Sequence, residues 1–155
     1  MRHTREAVIA RAEAEFARLD TIVAGLSDHQ WQLPLARSET KDPWTVKDAV
    51  AHVAHWKADQ IRRLRGRRPP PEERGLSVNE GNHLVYERWR DRPPREVLDW
   101  HREVQQELLL ALREAPDELF SGRERGPAWP YDIDGHSADH RVRDLERALL
   151  GSTHR

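Results

Sequence analysis

The residues in this sequence that are best suited to chemistry are histidines. The chain has nine histidines and no cysteine, so any transition-metal ion must be held by imidazole nitrogens and by oxygens. His136 and His140 are four residues apart, which places both imidazoles on one face of a helix with their Cβ atoms about 5–6 Å apart. This spacing lets both rings bind one ion, although so short a motif also arises by chance among nine histidines.

His52 is a third candidate ligand because of its position on another amphipathic segment. It lies at the edge of the apolar stripe formed by Ala49, Val53 and Trp56, whereas His55 points roughly toward the opposite side. Judged from periodicity alone, His52 is as well explained by a second role, that of a partly buried histidine hydrogen-bonded to a backbone carbonyl, as by metal binding. The sequence therefore suggests, without deciding, a metal site shared by two helices that are distant along the chain.

Four main helices are predicted to position these histidines. Apolar residues recur at three- and four-residue steps, and the capping pairs Ser27/Gln30, Thr45/Asp48 and Ser77/Glu80 mark helix starts. Gly66 is expected to end the second helix, and the arginine- and proline-rich loop 67–74 is expected to be exposed and non-helical. No strand-like alternation occurs, so the predicted class is all-α. The helices are predicted over 4–26, 45–66, 77–115 with an interruption near Pro93 and Pro94, and 134–150.

The last helix presents a difficulty for the metal hypothesis. On an ideal wheel begun at His136, the two histidines lie nearly opposite the apolar arc of Ala138, Val142, Leu145 and Leu149. Either this helix packs on both sides, with its histidine face lining a cavity, or it begins later and His136 lies on the preceding loop. Both interpretations stay open.

Length and charge restrict the class of protein. A chain of 155 residues is expected to form one domain, residues 1–155. Its 26 basic and 27 acidic residues give a net charge of -1, from which we expect neither a nucleic-acid nor a membrane partner. The basic stretch Arg62–Arg68 is interpreted as a solvated loop because Glu72 and Glu73 follow it. With no apolar run of about 20 residues, the protein is expected to be soluble and cytoplasmic.

The segment from Trp44 to Trp56, which reads WTVKDAVAHVAHW, resembles the signature helix of the DinB-like superfamily. Members of that superfamily carry a second pair of ligands, usually HxxxH, at the start of the last helix, where His136 and His140 stand. The resemblance implies a four-helix bundle that holds one divalent metal ion. Because histidine ligands without a thiolate suit both ions, the metal is expected to be zinc or nickel. Residues 79–98 are further similar to the ClbS/DfsB branch, which includes proteins that protect cells from their own electrophilic genotoxin.

Further roles can be assigned around the three histidines. Three carboxylates are candidates to accept hydrogen bonds from the metal-binding imidazoles and so orient them, namely Asp48, Asp139 and Asp144. The alternative is that they are ordinary solvent-exposed charges on helices. The mouth of the bundle is expected to be walled by aromatic residues that otherwise only fill the core. These residues are Trp44, Trp56, Trp129 and Tyr131.

The resemblance leaves the function open among three classes. The first is a metal-dependent enzyme acting on an electrophilic small molecule, either a thiol S-transferase or a hydrolase, with a low-molecular-weight thiol such as mycothiol or bacillithiol as a second cofactor. The second is a ClbS-like resistance or sequestration protein that needs no metal. The third is a bundle that merely forms a homodimer, with incidental histidines. The fold by itself does not choose among them.

Overall fold

The computed structural model describes residues 3–36, 40–120 and 141–152. In these ranges the chain forms helices and no β-strand, which confirms the predicted all-α class, and one isolated bridge pairs Pro34 with Thr45. None of the helices in these ranges is long and apolar enough to cross a membrane. The helices are α1 (Arg5–Ala24), α2 (Asp28–Trp31), α3 (Val46–Leu64), α4 (Val78–Trp89), α5 (Pro94–Glu114) and α6 (Arg141–Ser152).

Helix starts follow the local capping chemistry. Ser27 and Thr45 each form a full capping box, in which the cap side chain and the side chain three residues on satisfy each other's backbone N–H groups. The pair of Ser77 and Glu80 forms half of a box, because the Ser77 hydroxyl accepts from the Glu80 N–H but donates to the Glu80 carboxylate at 3.0 Å. The predicted starts of α3 and α4 are therefore correct to within one residue.

The end of α3 is set by a glycine. Gly66 has φ 66°, and its N–H donates to the Arg63 carbonyl while the Arg67 N–H donates to the Arg62 carbonyl. This pair of bonds is the Schellman arrangement, which needs one residue in the left-handed conformation, and glycine adopts that conformation without strain.

The loop after α3 was expected to be non-helical throughout, and this is wrong in one detail. The segment Pro71–Glu73 forms a single 3-10 turn, since a proline at its first position lacks only an N–H that would be unused there.

The predicted interruption near Pro93 separates α4 from α5. The buried side chain of Lys47, on α3, donates to the Arg90 carbonyl at 2.6 Å and to the Arg92 carbonyl at 2.7 Å. The Arg90 carbonyl lies at the end of α4, where the helix supplies no N–H partners of its own, and the Arg92 carbonyl lies in the link to α5. Lys47 therefore fixes the break between α4 and α5 against α3.

Two apolar clusters show how the helices are oriented. One cluster joins the first half of α1 to the last halves of α3 and α5, through residues that include Val8, Ile61 and Leu112. The other joins the last half of α1 to the first halves of α3 and α5 and to α6, through residues that include Leu19, Val50, Val97 and Leu145. Hence α3 and α5 run in the same direction, and α1 runs opposite to both.

A polar layer lies within this apolar interior. On α1, Glu15 falls between Ala12 of the first cluster and Leu19 of the second. The Lys57 Nζ lies 2.8 Å from the Glu15 Oε2 and donates to the Gln105 Oε1 at 2.9 Å. We define the polar layer as Glu15, Lys57, Gln60, His101 and Gln105. Each of these residues is at most 3% exposed.

His101 is held in the layer as a neutral ring. Its Nε2 is 3.3 Å from the Asp20 Oδ1, and its ring stacks on Phe16 with the centroids 4.8 Å apart. Burial, reinforced by the nearby Lys57 charge, lowers the His101 pKa to about 4 in spite of Asp20. The ring is therefore uncharged in the folded protein near neutral pH.

Lys57→Met is expected to destabilise the protein by about 3–5 kcal/mol, because it leaves the Glu15 carboxylate buried without its cation. The measurement is the free energy of unfolding in urea. The exposed Lys41→Met serves as the matched control and should change stability by less than about 0.5 kcal/mol. The double variant Lys57→Met/Glu15→Leu should recover most of the loss. Equal effects of the Lys57 and Lys41 substitutions would contradict the importance of the pair.

His101 is expected to make the protein sensitive to acid. Since its pKa in the folded state lies below the unfolded value of 6.5, its contribution is present above about pH 6.5 and is lost as the pH falls toward 4. Between about pH 7 and pH 4, the wild type should lose roughly 2–3 kcal/mol more stability than His101→Gln. The exposed His29→Gln is the control and should keep the wild-type slope. Parallel pH profiles for wild type and His101→Gln would refute this explanation.

Candidate functional site

His52, the described member of the predicted metal site, is buried near the start of α3. Its side chain is 3% exposed, and its ring lies 5.0 Å from the Trp44 ring with the planes inclined by 47°. Trp44 precedes the capping residue Thr45, so the capping box that starts α3 also places the indole beside the histidine one to two turns later. Local capping thus sets the surroundings of His52.

Trp44 also contacts the beginning of α6. The Arg141 guanidinium carbon lies 5.0 Å from the Trp44 ring centroid, and the side chain is 2% exposed. The Arg141 Nη1 donates to the Asp144 Oδ2 at 3.3 Å within α6. Arg141 directly follows His140 in the sequence. The Trp44 indole is therefore close both to His52 and to Arg141, the residue that follows His140 in the sequence.

Asp48, which was predicted to orient a metal-binding imidazole, has a structural role in the capping box. Its Oδ2 accepts hydrogen bonds from the Thr45 N–H at 2.8 Å and from the Thr45 hydroxyl at 2.9 Å. Burial raises the Asp48 pKa, and the bonds from Thr45 only partly oppose this. Its Oδ1 is buried and has no hydrogen-bond partner among the described residues. That this carboxylate orients a metal-binding imidazole stays a prediction.

Of the remaining predicted site residues, two are described by the structure and five lie outside the described ranges. Asp144 pairs with Arg141 on α6, and Trp56 is partly buried on α3. No cluster of three or more His, Cys, Asp or Glu side chains able to hold a metal occurs in the described ranges, which contain one of the three predicted ligands. The residues that fall outside these ranges are Trp129, Tyr131, His136, Asp139 and His140.

The polar layer was not anticipated from the sequence, although a signal for it was present. Lys57 lies four residues after Val53 and four before Ile61, which places it on the buried face of α3. Glu15 is four residues before Leu19 on the buried face of α1. A lysine and a glutamate on the apolar faces of two helices indicate a buried ion pair, provided that the two helices are neighbours.

The basic stretch at the end of α3 has two arginines in ion pairs and three that are exposed. Arg62 and Arg63 both pair with Asp59. Glu72 and Glu73, which follow the stretch in the sequence, both lie beside Arg88 of α4. Three further arginines in it are exposed, namely Arg65, Arg67 and Arg68.

The fold is similar to that of solved structures. One is an uncharacterised protein from Escherichia coli UTI89, with a TM-score of 0.75, 12% identity, and coverage of 97% of this chain and 95% of that one. Another is the colibactin self-resistance protein ClbS in complex with a dsDNA, with a TM-score of 0.70, 16% identity, and coverage of 97% and 96%. At these identities the likeness shows the fold alone. No protein of curated function matches the sequence.

The prediction that excluded nucleic-acid partners is wrong. It relied on a net charge of -1, whereas ClbS, which shares this fold, is seen in complex with duplex DNA. Net charge averages over the whole surface, while DNA contacts depend on a local group of cations. A balanced composition is therefore no argument against such a partner.

The sequence also matches a family model, that of the mycothiol maleylpyruvate isomerase N-terminal domain, over residues 12–146. The match extends from α1 to the first half of α6 and includes Trp44, His52, His136 and His140. This confirms the resemblance to the DinB-like superfamily. The chain belongs to the mycothiol maleylpyruvate isomerase N-terminal domain family.

Proposed function

We propose that this protein is a metal-dependent enzyme that acts on an electrophilic small molecule, with His52, His136 and His140 as the ligands of one zinc or nickel ion. The observation that carries the proposal is the position of Trp44. Its ring lies close both to buried His52 and to Arg141, which follows His140 in the sequence. Membership of a family described by a mycothiol-dependent isomerase supports an electrophilic substrate and a thiol co-reactant.

The donor set suits such an ion. Three imidazoles without a thiolate match the preference of zinc and nickel for nitrogen ligands. His52 is shielded from bulk water, and the buried Asp48 Oδ1, one turn earlier on α3, lacks a hydrogen-bond partner among the described residues. A carboxylate oxygen in that position fits a partner that orients a ligating imidazole.

The ion would supply Lewis acidity, because a site with three protein ligands keeps a coordination position for a thiol or a water molecule. The protein groups around it have separate tasks. Trp44 excludes solvent from one side of His52, and Arg141 with Asp144 holds the start of α6 against that indole. In this arrangement a low-molecular-weight thiol is the nucleophile, and the substrate is an electrophile small enough to enter the bundle mouth.

The untagged protein is expected to bind about one equivalent of zinc or nickel per chain. His52→Ala, His136→Ala and His140→Ala should each weaken binding severely, since each removes one of three ligands. Affinity should also fall as the pH drops below about 6.5, because imidazole must be neutral to bind a metal. The measurement is metal content after dialysis, followed by titration calorimetry.

His55→Ala is the matched control, since it removes a histidine from the same helix three residues later. It should retain full stoichiometry. If the protein takes up no metal near pH 8, or if His55→Ala loses the metal and His52→Ala keeps it, the three-histidine site is wrong. Circular dichroism of each variant separates loss of metal from loss of fold.

A second candidate function is that of a metal-independent resistance protein that binds duplex DNA. The likeness of fold to ClbS, which is seen in complex with a dsDNA, favours it. The surface of this chain that suits such a partner is the arginine segment, defined as Arg62, Arg63, Arg65, Arg67 and Arg68. It projects from the end of α3, and the Schellman bonds at Gly66 fix the direction in which its exposed half leaves the helix.

Duplex DNA is expected to bind through this segment in a salt-dependent manner. Replacing Arg65, Arg67 and Arg68 by glutamine should reduce the slope of log affinity against log salt by about 0.9 for each phosphate that an arginine no longer neutralises. Fluorescence anisotropy of a labelled duplex at several salt concentrations measures this slope.

The matched control removes three exposed arginines from the opposite half of the bundle. It replaces Arg18, Arg95 and Arg143 by glutamine and so produces the same net charge. Equal reductions of the slope in both triple variants would mean that overall charge alone drives binding. Absence of binding at low salt would remove this candidate function.

A further inference from the structure

A cleft lies along α4, and its lining includes neither His52 nor any residue of the polar layer. Its volume is about 600 Å³, and it is formed by α4 together with the segment around the 3-10 turn Pro71–Glu73. Leu76 and Leu84 supply apolar surface in it. Clefts that bind small molecules typically have volumes of about 300–1,000 Å³ and largely apolar linings. The cleft therefore has the size and character of a small-molecule site.

The polar side chains that line this α4 cleft are mostly acidic. Glu72 lies 3.8 Å from Arg88 of α4, and Glu87 lies 3.3 Å from Arg90, which directly follows α4. Glu80 accepts a hydrogen bond from the Ser77 hydroxyl and forms no ion pair within the described residues. Its negative charge therefore remains available to a ligand.

His83 is held in a fixed orientation at the cleft. Its Nδ1 donates to the Asp42 carboxylate, at 2.8 Å to Oδ2 and 3.0 Å to Oδ1, and Asp42 is itself fixed by a bond from the Thr40 hydroxyl. The bond to Asp42 raises the His83 pKa. The other ring nitrogen, Nε2, lies 3.9 Å from the Glu87 carboxylate.

We propose that the α4 cleft binds an organic monocation that carries a short apolar chain. The apolar chain would lie on Leu76 and Leu84, and the cationic group would lie beside Glu80. Anionic ligands are disfavoured by the three carboxylates. A bare metal ion is disfavoured as well, since no suitable cluster of ligands occurs in the described part of the chain. The site is separate from His52 and does not depend on the proposed metal chemistry.

The ionisation of His83 should be linked to binding at this cleft. The charged groups that face the imidazole are Asp42 from the segment before α3, Glu87 from α4, and Arg90 just after α4. Protonated His83 repels a cationic ligand, so affinity should increase as the pH rises through the His83 pKa. By reciprocity, a saturating cation should lower the His83 pKa.

The probe is hexyltrimethylammonium, whose charge does not change with pH, and hexanoate is the anionic comparison. Backbone amide shifts are followed by NMR during titration at about pH 8.5, which is about two units above the ordinary histidine pKa. The cation should shift the amides of residues 78–89 in a saturable manner, and hexanoate should not. Glu80→Gln should weaken binding by about three- to fivefold, as expected for one partly exposed ion pair. Glu103→Gln, which removes an exposed carboxylate from α5, should leave binding unchanged.

Two further variants complete the test. Leu76→Ser should weaken binding of the cation, and His83→Gln should abolish the pH dependence while binding persists. The proposal is overturned if hexanoate binds equally well, if no saturable shift occurs on α4, or if Glu80→Gln and Glu103→Gln behave alike. Tighter binding of the cation at low pH would overturn it too.

Discussion

The buried ion pair between Lys57 and Glu15 is the constraint on which the arrangement of the bundle depends. Both side chains are at most 1% exposed, so neither charge has access to water. Removing ions from water costs several kcal/mol for each, and this cost is offset only when the partners meet with good geometry. A shift of α1 by one turn would move Glu15 by about 5.4 Å and leave two unpaired buried charges. The pair therefore selects one register of α1 against α3.

Gln105 extends this constraint to α5. It accepts a bond from Lys57 and donates to the Ala12 carbonyl of α1 at 3.2 Å. The three longest helices are thus connected by polar contacts in their middle, while apolar clusters pack toward both ends. Because apolar contacts alone tolerate sliding, the directional bonds of the polar layer supply a specificity that the clusters lack.

The two ends of α3 carry different chemical groups. His52 lies in the first half of the helix beside Trp44, and Arg65 begins the exposed arginines just past its last residue. Thirteen residues of helix separate them by about 20 Å. A small-molecule site and a nucleic-acid contact can therefore occupy one chain without overlap, and the wrong exclusion of nucleic acid arose from treating the charge as evenly spread.

Within the described residues, the sequence by itself determined the helices, since their signals act between residues three or four apart. The predicted start of the last helix, at residue 134, lies outside the described residues. Capping at Ser27 and Thr45, the glycine at position 66 and the break near Pro93 all appear in the structure close to where they were expected. The segment from Trp44 to Trp56 also predicted membership of the superfamily, and the family match confirms it.

Only the tertiary structure decided which distant residues meet. A helical wheel places Lys57 on an apolar face but cannot show that Glu15, 42 positions away, lies opposite it. Likewise, no local pattern places Arg141 on the ring of Trp44, or His83 beside Asp42. These contacts depend on how whole helices pack, and packing is settled by the combined burial of many side chains rather than by any local spacing.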